Sequence, residues 1–175
     1  VGAFGDDGIS ESSGAAYILA YNGSSWTQTQ KLIATDSASL SKFGQSVAIS
    51  GDYAIVGAYG DDGNGASSGA AYIFHYNGTS WVELQKITAN DGASWNKFGQ
   101  SVAISGDAAI IGAYGDNDKG ESAGAAYIFH FDGNNWGQSQ KLTAFDTSAW
   151  DQFGHSVALS GDFAIIGACG DSNNG

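Results

Sequence analysis

Small and β-branched residues alternate along Ser46-Val47-Ala48-Ile49-Ser50, a period of two that predicts a strand, here named A, with unlike faces. Gly51-Asp52 follows, with glycine where a two-residue type II′ hairpin turn needs it. Tyr53-Ala54-Ile55-Val56-Gly57-Ala58-Tyr59 is apolar almost without a break, so strand B is expected to be covered on both faces. Strand C is predicted over Gly69 to Tyr76, closed by Asn77-Gly78 as a type I′ turn with φ > 0 at both central positions. Strand D, Trp81 to Ile87, mixes Glu83 and Gln85 with Trp81, Leu84 and Ile87, the pattern of an edge strand half in solvent. Two polar loops separate these strands, B–C from Gly60 to Ser68 and D–A from Asn90 to Lys97. No window holds a 3.6-residue period, so no helix is predicted.

This four-strand pattern repeats. FGQSVAISGD opens at Phe43, FGQSVAISGD again at Phe98 and FGHSVALSGD at Phe153, and 98 − 43 = 153 − 98 = 55 without an insertion. A fixed period of this size marks one supersecondary unit stacked on its own copies. The fold class is therefore all-β, with β-propeller-type blades of four-stranded antiparallel meanders, about three in this chain. The expected divisions are a partial blade over 1–42 (the end of B, then C and D), blades over 43–97 and 98–152, and a partial blade over 153–175 (A and B). Small residues gather in strand A (Gly44, Ser46, Ala48), as the crowded innermost strand requires, and Trp26, Trp81 and Trp136 are expected to be buried at about 2 to 3 kcal/mol each. The chain opens mid-repeat, which reads as a fragment or long array; the rival is a dimer whose A–B and C–D halves complete one blade and close a six-bladed ring.

Three features recur together in fixed order. They are Phe-Gly at 43/44, 98/99 and 153/154, Gly-Ala at 57/58, 112/113 and 167/168, and the Gly-Ala-Ala-Tyr-Ile that starts strand C. In this the chain resembles the FG-GAP repeat family, found in the integrin α-subunit propeller and in secreted microbial proteins, and the resemblance covers the whole chain. It implies an extracellular or cell-surface location and a role in binding or adhesion. The chain departs from the family pattern twice. Tyr, Phe or Cys stands where Gly-Ala-Pro has proline, and the Ser-Gly-Asp turn leaves no room for the calcium loop that integrin-type blades carry between A and B.

Charge narrows the partners. Eighteen acidic residues face six lysines and no arginine, a net charge of −12. Phosphate recognition needs clustered cations, so nucleic acid is excluded as a partner and anionic membrane surfaces are disfavoured. A solvated acidic surface, a cation-binding surface or a high-salt setting remains. With 27 glycines and no proline, the chain turns on Gly and Asn/Asp. No apolar run is long enough for a membrane span, and no leader peptide is visible. Cys169 is the single cysteine; it stands where other copies have Phe4, Tyr59 and Tyr114, and is read as a small apolar substitute.

Antiparallel order puts the B–C and D–A loops at one end of every blade. That end gathers Asp6, Asp7, Asp61, Asp62, Asp116, Asp118 and Asp171 with Asp36, Asp91 and Asp146, and the aromatic pair Trp95 and Trp150, where the first copy has Leu40. The expected contact surface is Asp61, Asp62, Asp91, Trp95, Asp116, Asp118, Asp146 and Trp150, taking a protein or carbohydrate ligand, or further copies of the same repeat. Glycine-flexible, oxygen-rich loops can wrap calcium, with Asp61, Asp116 and Asp118 as candidate ligands, although only the first Asp recurs in every copy. The alternatives are solvated or turn-capping carboxylates, and tryptophans packed beneath the loop. Asn22-Gly23-Ser24 and Asn77-Gly78-Thr79 are glycosylation sequons in the C–D turns, where Asn-Gly also serves the turn. His75, His130 and His155 form no triad, zinc or phosphate-loop spacing, and near-identical copies do not suit an active site, so a non-enzymatic module is expected. The alternative function is structural, an extracellular filament or surface layer.

Overall fold

Each apolar run becomes the strand that its periodicity predicts. The computed structural model describes residues 1–7 and 10–172, so the tips of the first and last B–C loops, Gly8-Ile9 and 173–175, lie outside the described residues. Thirteen strands form four antiparallel sheets, with no helix among the described residues. β1 (Gly2–Ala3), β2 (Ala15–Tyr21) and β3 (Trp26–Leu32) make the first sheet. β4 (Phe43–Ser50), β5 (Tyr53–Ala58), β6 (Ala70–Tyr76) and β7 (Trp81–Ile87) make a complete A–B–C–D meander, repeated by β8 (Ser101–Ser105), β9 (Ala108–Ala113), β10 (Ala125–Phe131) and β11 (Trp136–Leu142). β12 (Phe153–Ser160) and β13 (Phe163–Ala168) form the last pair. The meander is that of a propeller blade.

The core lies between blades rather than within one. One cluster joins Ile55, Ile73 and Ile87 of the second blade to Phe98, Ile111, Tyr127 and Trp136 of the third. Another joins Leu32 and Ala34 of the first blade to Phe43, Val56, Tyr72 and Phe74 of the second. β5 and β9 are therefore buried on both faces, as their apolar runs require. Phe43 and Phe98 meet the strand C aromatics edge to face: Tyr72 at 5.4 Å and Tyr127 at 5.5 Å between ring centroids. The glycine beside each Phe makes this approach possible. Gly99 holds φ +86°, and a Cβ there would run into the Ala70 carbonyl of the preceding blade.

Strand D carries a device that the sequence pattern conceals. In the C–D register Gln85 faces Ile73 and Glu83 faces Phe74, so Leu84 is an extra residue, a β-bulge. Without it Glu83 and Gln85 would share a face. With it, Gln85 reaches forward and Glu83 back. The Gln85 amide donates to the Trp136 carbonyl at 2.9 Å and accepts the Trp136 N–H at 2.8 Å, while Glu83 accepts the Thr35 N–H at 2.9 Å. Gln30 makes the same double contact with Trp81, at 2.7 and 2.8 Å.

Two expectations are corrected. The C–D connection is a four-residue loop, since Tyr76 pairs with Trp81, and positive φ occurs at Gly78 but not at Asn77. The Asn77 side-chain carbonyl takes the N–H groups of Thr79 and Ser80 at 3.0 Å each, which closes the loop without a type I′ turn. The three tryptophans of strand D are not equally buried either: Trp136 is 2% exposed, Trp81 half-buried and Trp26 68% exposed. Trp136 packs against Tyr53 of the preceding blade at 5.7 Å, a partner whose counterpart for Trp26 does not occur in this sequence. At the other end, β13 pairs with β12 alone among the described residues, and Ile165 is exposed where its equivalents Ile55 and Ile110 are fully buried.

Candidate functional site

The B–C and D–A loops do meet at one end, and each D–A loop is threaded between two B–C loops. The Trp95 N–H donates to Ala66 O at 2.7 Å in the B–C loop of its own blade, and Asn96 O accepts the Gly115 N–H at 3.2 Å from the next blade. The third blade repeats this with Trp150 N–H to Glu121 O at 2.7 Å and Gly170 N–H to Asp151 O at 3.0 Å. Leu40, Trp95 and Trp150 consequently sit at φ +66°, +71° and +73°, in the left-handed region that strains a side chain of this size by about 1 to 2 kcal/mol. Their side chains are not tucked beneath the loop. Trp95 is 60% exposed and Trp150 54%.

Below this rim the joints between the first and second blades and between the second and third carry a cationic clamp. Lys141 on β11 places its Nζ 2.7 Å from Asp91, 2.9 Å from Asp116 and 2.6 Å from Asp118. Asp91 belongs to the preceding D–A loop, and Asp116 and Asp118 to the B–C loop of the same blade as Lys141. The Tyr127 hydroxyl donates to Asp116 at 3.0 Å, and the Asn96 amide donates to the same oxygen at 3.1 Å. The neighbouring joint is built alike. Lys86 lies 2.7 Å from Asp36 and 2.8 Å from Asp61, and the Tyr72 hydroxyl, with one proton to donate, lies within hydrogen-bond distance of both carboxylates, at 2.8 and 3.1 Å. The first blade has Lys31 on Asp6 at 2.9 Å, with the Tyr17 hydroxyl on the same carboxylate.

Titration behaviour follows from this geometry. Burial raises the Asp91 carboxyl, but hydrogen bonds from Lys141 and Tyr127 more than offset it and leave the group below the ordinary carboxylate range. Asp36 is lowered by the same balance, with Lys86 and Tyr72 as partners. Burial lowers Lys141, and hydrogen bonds to Asp118, Asp91 and Asp116 reverse this and hold it well above an ordinary lysine. The Tyr72 and Tyr127 hydroxyls are pushed up, first by burial and then by Asp61 and Asp116.

The sequence-derived residues divide into two sets. Asp62, Asp91, Trp95, Asp118, Asp146 and Trp150 are exposed on the loop face, whereas Asp61 and Asp116 are buried clamp residues. Asp62 also caps its own loop, accepting the Ser67 N–H at 2.7 Å. The calcium set Asp61, Asp116 and Asp118 is not brought together. The carboxylates that converge, with oxygens within 4.8 Å of one another, are Asp91, Asp116 and Asp118, and the Lys141 ammonium already contacts all three. Asp61 serves the neighbouring joint. A divalent ion at Asp91, Asp116 and Asp118 would have to displace a lysine from three ion pairs. Asn22 and Asn77 are exposed in the C–D loops, and their side-chain carbonyls cap those loops. His75 stacks on Tyr53 at 4.9 Å, and His155 leans on Tyr114 at 5.5 Å. Cys169 is exposed rather than packed, with its thiol 3.1 Å from the Gln152 side-chain Oε1.

Lysine was the residue type that the sequence reading missed, although its signal was present: Lys31, Lys86 and Lys141 recur at 55 residues in an otherwise lysine-poor chain. The repeat that carries these clamps is also the unit that a family profile detects. The profile of the FG-GAP repeat matches residues 26–74, 81–129 and 136–175, most of the chain. This chain belongs to the FG-GAP repeat family. No curated protein matches it. Within this FG-GAP chain the Phe-Gly pair has a definite task, bridging to the start of strand C in the preceding blade: Phe43 with Gly14, Phe98 with Gly69 and Phe153 with Gly124. The Gly-Ala pair ends strand B beneath the clamp, where the following Asp61 and Asp116 are set.

Proposed function

We propose that this FG-GAP repeat chain is a non-enzymatic binding or adhesion module of an extracellular or cell-surface protein, and that it contacts its ligand through the face formed by the B–C and D–A loops. The observation that carries this reading is the display of Trp95 and Trp150. Their backbone is fixed by hydrogen bonds to the adjacent B–C loop at a φ that glycine would hold without strain, yet the side chains are large, aromatic and exposed. A rigid exposed indole gives much contact area at little entropic cost. The acidic groups beneath support recognition rather than catalysis, because Asp36, Asp61, Asp91 and Asp116 are engaged with Lys and Tyr in holding blades together. A surface-immobilised panel of defined peptides and oligosaccharides tests the reading. Binding should be lost on replacing Trp95 and Trp150 and kept on replacing Asn22 and Asn77 in the opposite loops; the reverse pattern would refute it.

One observation favours a structural role as the second reading. The repeats keep a constant 55-residue spacing without an insertion, the regularity that stacking of like units requires. Solution mass across a concentration series separates the readings: growth into long assemblies supports the structural role, and a constant mass opposes it.

A further inference from the structure

We infer that the partner of the loop face is a basic polypeptide that presents arginine or lysine side chains to Trp95 and Trp150, an inference that rests on the reading of this face as the binding surface. Two independent features of the face point to a cationic partner.

The first is how the chain spends its own cations. It has six lysines and no arginine against eighteen acids. Lys31, Lys86 and Lys141 are held in the clamps. Lys42 lies over the Phe4 ring at 5.9 Å, and Lys97 lies over Tyr114 at 4.9 Å and donates to its hydroxyl at 2.6 Å. Of the six, Lys119 is left exposed without an ion pair among the described residues. Asp62 and Glu121 are exposed in the same loops, and Asp91 and Asp118, also exposed, share the single Lys141 with Asp116, which leaves the cluster net negative. The face therefore attracts cations over a Debye length of about 8 Å at physiological salt and repels anionic glycans and nucleic acids.

The second feature is where the indoles stand. Trp95 is hydrogen-bonded to the loop that carries Asp62, and Trp150 to the backbone carbonyl of Glu121 itself. The backbone that carries each ring is thus tied to a loop bearing an exposed carboxylate. Tryptophan is the strongest cation–π platform among the side chains, and a guanidinium stacked on it also suits a nearby carboxylate. The backbone does not require an indole here, since Leu40 fills the same position at the same φ in the first repeat. A neutral sugar would use the ring and leave the charge idle; a basic side chain uses both.

The test uses the full chain and a synthetic arginine-rich dodecapeptide, its citrulline counterpart of equal shape and no charge, and cellohexaose as a neutral sugar. Binding is followed by calorimetry and tryptophan fluorescence in the wild type, Trp95→Gly, Trp150→Gly and a Trp26→Gly control. Glycine is chosen because it accepts φ +71° and +73°, and unchanged thermal midpoints certify that the variants are folded. The expected result is saturable binding of the arginine peptide, weakened by added salt, about threefold to tenfold weaker in each loop-face variant and unchanged in Trp26→Gly, with no binding of the citrulline peptide. Arginine-peptide binding that ignores Trp95 and Trp150 overturns the inference, because it reports net charge alone. Cellohexaose binding that depends on both tryptophans, without peptide binding, overturns the basic partner while the loop face stands. No tryptophan-dependent binding of any probe overturns both.

Discussion

Replacing Lys141 with methionine, which keeps the length of the side chain and removes its charge, tests the clamp directly. The substitution leaves Asp91, Asp116 and Asp118 facing one another within 4.8 Å. Asp116 has a side chain only 2% exposed and cannot be rehydrated in place, whereas Asp91 and Asp118, at 42% and 65%, recover much of their solvation. Removing one partner from a fully buried ion pair costs about 3 to 5 kcal/mol. Discounting for the two exposed carboxylates gives about 2 to 4 kcal/mol here. At this chain length that corresponds to a fall of about 5 to 15 °C in thermal midpoint. Urea and thermal unfolding monitored by circular dichroism measure it. Adding Asp116→Asn should restore part of the loss, since it removes the uncompensated buried charge, and millimolar Ca²⁺ should stabilise Lys141→Met more than the wild type, whose ammonium holds the centre. A variant within about 0.5 kcal/mol of the wild type would refute the clamp as a source of stability.

Gln85→Leu removes both hydrogen bonds to the Trp136 backbone and should cost about 1 to 3 kcal/mol, with faster amide exchange at Trp136; an unchanged exchange rate would contradict the role given to the bulge. Gly99→Ala should destabilise by more than about 2 kcal/mol in chemical denaturation, because alanine at φ +86° is strained and its Cβ meets the Ala70 carbonyl. Trp95→Gly, by contrast, should stay within about 1 kcal/mol of the wild type, relief of strain offsetting the added freedom of the unfolded chain. Stability should be level near neutral pH and fall on both flanks. Asp36 and Asp91 are lowered from 3.8, so their contribution is present above that value and disappears as pH falls through the lower folded values; Lys86 and Lys141 are raised from 10.5, so theirs is complete below 10.5 and disappears as pH rises through the higher folded values. A stability maximum confined to acid pH would contradict these signs.

The blade was legible because one period, 55 residues, and one alternation, two residues, both survive in every copy. The continuous apolar run Tyr53–Ala58 correctly marked a strand covered on both faces, and Phe-Gly marked a close approach between blades. What escaped is what pairwise spacing cannot express. Leu84 reads as one more edge-strand residue, and only the register with Ile73 and Phe74 reveals the bulge that turns Glu83 and Gln85 to opposite sides. Asp61 and Asp116 look like equals of Asp62 and Asp118 along the sequence, yet the first carboxylate of each loop is buried under the strand C tyrosine. Oxygen-rich loops suggested calcium; the spacing did not reveal that a strand D lysine, 25 residues after the first B–C loop carboxylate and 50 after the D–A loop carboxylate, contacts both. Trp95 and Trp150 defied the usual rule that large apolar side chains go inside, because the loop backbone that joins blades fixes their φ and turns them outward.

Hydroxyl-radical footprinting of the chain bound to its partner tests the binding face most directly, since it reads all five tryptophans at once. The loop-face account predicts that Trp95 and Trp150 become protected while Trp26, exposed on strand D beside the opposite C–D loop, keeps its free-state reactivity. Protection of Trp26 with Trp95 and Trp150 unchanged would contradict it.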